Sequence, residues 1–293
     1  MTTTTARETK RHGWWWKTLL GGIALWIIVA IVTFRTGNTN LVPTVILLGS
    51  FLVPFTVVMY ASERTTGNLD MTRLIMAFFV GGIFGVLGAS ILEVNLQPSW
   101  YMYLGVGVIE ELCKGIVFVV IGLAVVPKNG HQGALLGATV GAGFAAFESA
   151  GYAYNAGLSR RGIDLISMLQ TEAVRGLLTP VGHVLWTAIL GAAIFAVWAK
   201  TARWWAVIVA FVAVSVLHAL WDSMGFLSAW LAVKFTGGAL QELQYGMLLP
   251  ATAQSLSHLA ETLYVAGLII ISAIGVAVLW VWGRRVKEQQ LGA

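Results

Sequence analysis

The stretch Gly107-Val108-Ile109-Glu110-Glu111-Leu112-Cys113-Lys114-Gly115-Ile116-Val117-Phe118 places three charges inside an apolar run of helix length. A charge at the centre of a bilayer costs about 2.5–3.5 kcal/mol even on the lenient insertion scale. Two further runs repeat the anomaly. Phe144-Ala-Ala-Phe-Glu148 lies in one, and His218-Ala-Leu-Trp-Asp222 in another. The rest of the chain explains why these are anomalies. It has 293 residues, 58% hydrophobic and 11% charged, with a mean hydropathy of +0.80. That composition is that of an all-α polytopic membrane protein.

Eight apolar segments have the roughly 20 residues needed to cross about 30 Å of hydrocarbon. They are Trp14–Phe34, Leu41–Ala61, Thr72–Leu92, Trp100–Val126, Gln132–Ala156, Thr179–Ala199, Arg203–Asp222 and His258–Trp282. Residues 1–13 and 284–293 read as cytoplasmic tails around a membrane domain at 14–283. Two longer links have room for amphipathic helices, near Asp164–Arg175 and Phe226–Lys234. Turn signals stand at Gly37-Asn38, Gly67-Asn68 and Asn129-Gly130. The net charge of +5 reflects Lys and Arg flanking the spans rather than a nucleic-acid surface. With the N-terminus inside, the inner segments hold twelve Lys and Arg and the outer segments five. Both termini are therefore expected in the cytoplasm of a multi-pass cell-membrane protein. The single cysteine, Cys113, excludes an internal disulfide and any cysteine metal cluster.

In this topology Glu110 lies about 15 Å below the outer end of the fourth span. Glu148 lies about two turns from the outer end of the fifth. His183 falls in the first turn of the sixth, after a Thr179-Pro180 cap, and His218 in the last turn of the seventh. One site between spans four to seven is expected. A stripe of Gly133, Gly137, Gly141 and Ala145 lets a neighbouring backbone approach, and the fourth helix is expected there. Glu110 and Lys114, four apart, share a helix face, and Asp222 can orient His218. Lys114 neutralises one carboxylate of three. A bound proton, a charged histidine, water or a metal ion must compensate the others. Chemistry of two kinds fits, acid/base or Lewis acid. Glu172 and Arg175 read as a local helix pair. A His-Glu-x-x-His zinc motif is absent, as is Gly-x-Ser-x-Gly.

Taken in order, Glu110-Glu111-x-x-Lys114, Phe144-x-x-x-Glu148, Pro180-Val-Gly182-His183 and His218-x-x-x-Asp222 resemble the PrsW family of intramembrane proteases. That family is related to the type II CAAX prenyl proteases and the bacteriocin-immunity-like membrane proteases. Val181, inserted between Pro180 and Gly182, is the one departure, and the likeness covers about residues 100–225. The resemblance implies endopeptidase action on single-span, membrane-anchored substrates such as anti-sigma factors, near the extracytoplasmic side. It implies a centre of Glu110, Glu111, Glu148, His183 and His218, with Lys114, Asp222 and Phe144 in support. Glu111 or Glu110 would activate water. Glu148, His183 and His218 would hold a zinc ion, having the ligand types of a catalytic site; a metal-free glutamate mechanism is the alternative. A non-catalytic scaffold of the same fold and an ion or proton transporter are the competing classes.

Overall fold

Asp70, Asn129 and Asp164 open three helices by accepting a backbone N–H three residues on, from Arg73 (2.7 Å), Gln132 (2.9 Å) and Ser167 (3.1 Å). Such caps satisfy donors that a helix start leaves open. The computed structural model describes residues 13–64, 69–99, 101–160 and 162–291, so the Gly67-Asn68 turn and nearly all of the amino-terminal tail lie outside the described residues. The order is α1 (Trp14–Thr36), α2 (Val42–Arg64), α3 (Met71–Glu93), α4 (Met102–Gly122) and α5 (Gly130–Gly157). A two-residue antiparallel hairpin follows, pairing Leu158–Ser159 with Gly162–Ile163. Then come α6 (Leu165–Leu178), a 3₁₀ turn (Thr179–Val181), α7 (His183–Trp198), α8 (Trp205–Phe235), α9 (Ala239–Gln244) and α10 (Pro250–Leu291).

Among the described residues, seven helical stretches are long and apolar enough to cross a membrane, with α6 and α7 counted together. The eighth expected span is α4. At 21 residues it has the length, but Glu110, Glu111 and Lys114 all fall within it. The chain is thus an all-α, multi-pass membrane protein. α7 and the first two thirds of α5 run through its centre, largely buried. α1 and α10 flank it, with side chains such as Ile28, Phe34, Ile269 and Ile270 turned outward. Outward apolar side chains are what a lipid environment permits.

The glycine stripe of α5 lies on α7 and not on the fourth helix. A Cβ added at Gly133 would stand 2.3 Å from the carbonyl oxygen of Gly191. At Gly137 it would stand 2.2 Å from that of Thr187, and at Gly141 2.3 Å from that of His183. Two backbones in direct contact exclude any side chain between them, and the contact at Gly141 fixes the first residue of α7. α4 meets α8 by the same device. A Cβ at Gly107 would lie 2.5 Å from the carbonyl oxygen of Ser215, which sets Glu110 beside His218.

The boundaries of three helices differ from expectation. α8 does not stop at Asp222 but continues to Phe235, so the expected short helix at Phe226–Lys234 is its last part and His218 is near its middle. No proline interrupts this segment, and its apolar residues continue past Asp222. α10 begins at Pro250, a residue suited to a first turn, and extends well beyond the expected span through Leu291. Thr179-Pro180 forms a 3₁₀ turn, and the residue capping α7 is Gly182. The amphipathic helix expected near Asp164–Arg175 is α6.

Gly137→Ala should lower the thermal unfolding temperature in detergent, because overpacking typically costs about 1–3 kcal/mol. Gly151→Ala, whose Cβ would meet nothing within 4 Å on the same helix, should leave it unchanged or raise it slightly. Equal behaviour of the two variants would contradict the α5–α7 contact.

Candidate active site

Lys114 is completely buried, and its ammonium is the meeting point of three helices. It donates to Glu110 Oε2 at 3.0 Å, to Glu111 Oε1 at 2.9 Å and to His183 Nδ1 at 2.9 Å. The face of Phe144 lies 3.9 Å away, a cation–π contact from α5. Three N–H donors thus meet three acceptors, and the group is saturated. Phe144 in turn packs on the His183 ring, with centroids 5.3 Å apart.

An ammonium has no lone pair to offer, so His183 Nδ1 accepts and its proton sits on Nε2. Nε2 then donates to Glu148 Oε2 at 2.9 Å. Arg175 of α6 also donates to Glu148, donates to Ser149 Oγ at 2.8 Å, and stacks on Tyr152 at 4.1 Å. Arg175 therefore joins the site and is not the local partner of Glu172, as expected from their spacing. Glu172 turns away and accepts from Trp26 Nε1 at 2.7 Å. A basic residue on the helix leading into Thr179–His183 was the available signal; it pointed to the nearer glutamate, three residues away, and not to the right one.

His218 is completely buried, and its Nδ1 stands 2.9 Å from Glu111 Oε1. The carboxylate accepts, which leaves His218 Nε2 at the other side of the ring. That nitrogen lies 3.3 Å from Asp222 Oδ2 and 3.5 Å from Glu110 Oε2, yet makes no hydrogen bond among the described residues. The two imidazoles meet edge to face at 4.9 Å.

Two cavities reach this cluster. One, of about 400 Å³, is lined by Glu93, Glu110, Phe144, Glu148, Tyr152 and Asp222 among others. The second, of about 260 Å³, is lined by Glu148, Tyr152, Arg175, His183, Asp222 and Tyr264 among others. Glu110, Glu148, His183 and Asp222 thus face open space. Glu111, Lys114 and His218 line neither cavity and stand behind them. Glu93, Tyr152 and Tyr264 were not anticipated; each stands alone on its helix, with no spaced partner to mark it.

Glu110, His183 and His218 each present a ligand atom, all within 4.8 Å of one another. Glu110 Oε2 is 3.7 Å from His183 Nδ1 and 3.5 Å from His218 Nε2. Ligands at about 2.0–2.1 Å around a tetrahedral zinc ion are separated by roughly 3.4 Å. Donor type, spacing and the unpartnered Nε2 of His218 therefore fit a zinc-type ion. The carboxylate that converges with both histidines is Glu110; Glu148, the carboxylate expected with them, stands 2.9 Å from His183 Nε2 and pairs with Arg175. Lys114 would have to release His183 Nδ1 for that atom to bind.

Every residue anticipated for the site is in or against this cluster. A model of the PrsW family intramembrane metalloproteases matches residues 70–252, a stretch that runs from the cap of α3 into the start of α10. No curated protein and no solved structure matches the chain. The matched stretch contains every charged and imidazole group of the site, and the chain belongs to the PrsW family of intramembrane metalloproteases.

Proposed function

We propose that the chain is an endopeptidase that hydrolyses peptide bonds in single-span, membrane-anchored proteins, of which a regulatory protein such as an anti-sigma factor is one type. The observation that carries this reading is the meeting of Glu110, Glu148 and His183 on the walls of two adjoining cavities. Hydrolysis needs a group that takes a proton from water, a group that returns it to the departing amine, and charge opposite the developing oxyanion.

Glu110, His183 and His218 would hold the metal, which when bound polarises the scissile carbonyl and lowers the pKa of bound water. Glu148 is then the cavity carboxylate that receives the proton of the attacking water. The water oxygen bonds to the carbonyl carbon, the peptide C–N bond breaks, and Glu148 passes that proton to the departing amine nitrogen. Arg175 holds Glu148 in place, beside space for the carbonyl. Glu111 lines neither cavity, so its part is to fix the His218 ring and the Lys114 ammonium rather than to act as the base. One observation favours the metal-free alternative: Lys114 already occupies His183 Nδ1. In that version Glu110, facing the larger cavity, takes the proton.

The Lys and Arg distribution supports both termini in the cytoplasm of the cell membrane, with cleavage toward the extracytoplasmic side. The lipid bilayer and the substrate's membrane segment are the partners of this reading; nucleic acid has no part in it.

The test is incubation of the purified protein in proteoliposomes with a panel of single-span membrane proteins, reading new N-termini by mass spectrometry. Wild type should produce defined cuts. Glu148→Gln should slow them about 10²–10⁴-fold, the range for a lost acid/base group. Glu111→Gln should slow them about 10–100-fold, as loss of a ligand-orienting partner does. Equal cleavage by Glu148→Gln would remove that residue from proton transfer. No cleavage of any panel member, with an ion flux instead, would overturn the protease reading in favour of a transporter.

Lys114→Met should destabilise the fold by about 3–5 kcal/mol, because it strands buried carboxylates. Thermal unfolding in detergent measures this. An unchanged midpoint would show that Lys114 does not hold the cluster.

A further inference from the structure

On the far side of α6 from the catalytic cluster lies a second cavity system, between α1, α2 and α6. It encloses about 550 Å³ and its wall is almost entirely apolar. That volume is in the range of a small-molecule site. The ionisable carboxyl in the wall is that of Glu172, which is 1% exposed; Thr56 and Tyr60 add hydroxyls. Glu172 Oε2 accepts from Trp26 Nε1 at 2.7 Å, while its Oε1 is buried with no hydrogen-bond partner among the described residues. No salt bridge to Glu172 occurs among the described residues. Gly49 makes the room, since a Cβ there would stand 2.2 Å from Glu172 Oε2. A carboxyl placed so deliberately and left half-satisfied needs a donor, and the hydrocarbon region of a bilayer supplies no water for it.

The shape of the cavity narrows the occupant. Its wall runs along α1 from Trp15 to Trp26, about 16 Å at ~1.5 Å rise per residue. α2 runs beside it from Tyr60 back to Gly49. Trp15 and Tyr60 meet edge to face at 5.1 Å at one end, and Glu172, Trp26 and Gly49 stand at the other. Leu177, 79% exposed, forms part of the rim toward the surroundings. The slot thus has at one end a carboxylate oxygen with no partner among the described residues, and along the rest a largely apolar wall in which the Thr56 hydroxyl already donates to the Val53 carbonyl and Tyr60 stands at the far end. We propose that it binds a single-chain amphiphile whose head group is a hydrogen-bond donor, a hydroxyl or an amine, with the head on Glu172 Oε1 and the chain lying between α1 and α2. A transmembrane polypeptide satisfies its own backbone and carries many side chains, and it has no comparable match to one acceptor at the end of a slot. This site is independent of the proteolytic reading.

The experiment uses the full chain in phosphatidylcholine nanodiscs and three photoreactive probes with the same diazirine-bearing chain. Their heads are glycerol, an amine, and glycerol with both hydroxyls methylated. Mass spectrometry should place the crosslinks of the glycerol or amine probe on α1, α2 and α6 around the slot. The methylated probe should label there at least about tenfold less, as expected when a donor to a buried acidic acceptor is lost. Whichever donor head labels more strongly names the source. Glu172→Leu should abolish the preference, and Glu172→Gln, which keeps an acceptor and the shape, should retain the glycerol preference. Equal labelling by all three heads on the wild-type protein, which needs no variant to fold, would overturn the proposal. So would crosslinking of the slot by a single-span substrate helix that the donor-headed probes do not displace.

Discussion

An ammonium sealed between two carboxylates, an imidazole and a phenyl ring is the interaction on which the rest of this structure depends. Lys114 has no exposure, and each of its N–H bonds has one acceptor. Buried charge is tolerable only when paired and fully hydrogen-bonded. Here the pairing does more than cancel charge. It selects the tautomer of His183, turns Nε2 toward Glu148, and holds Glu111 where it can accept from His218. Ring orientation and carboxylate position across four helices follow from one side chain.

That arrangement requires backbones in contact. The α5–α7 crossing at Gly133, Gly137 and Gly141 brings the His183 carbonyl against α5, one turn from Phe144 and two from Glu148. The α4–α8 crossing at Gly107 brings Glu110 and Glu111 against His218. Polar groups thus sit where side-chain-free crossings leave the helices closest. Both cavities are lined by Glu148, Tyr152 and Asp222, on the open side of these crossings. The division between groups facing the cavities and groups behind them is a product of this packing. It separates Glu110, adjacent in sequence to Glu111, from its neighbour by a rotation of about 100° around the helix.

Much of this was legible in the sequence, because spacing on one helix is a local property. Glu110 with Lys114, Phe144 with Glu148, and His218 with Asp222 each share a helix face. Apolar runs marked the spans, and the ordered motifs marked the family. What was not legible concerns choices between helices. The glycine stripe announced a close contact but not that α7 would make it. Arg175 had Glu172 three residues away and chose Glu148 on another helix, since Glu172 turns toward Trp26. The continuation of α8 past Asp222 was hidden by reading a charged residue as a boundary. That Glu110 converges with both histidines while Glu148 pairs with Arg175 is likewise a tertiary fact, invisible in spacing along one helix.

Zinc content of the detergent-purified protein, measured by elemental mass spectrometry alongside Glu110→Ala, Glu148→Ala and His218→Ala variants, tests the central claim most directly. The account predicts one zinc per wild-type chain, lost without Glu110 or His218 and retained without Glu148. Wild-type protein that cleaves substrate without zinc would contradict it, as would zinc that survives loss of Glu110 but not of Glu148.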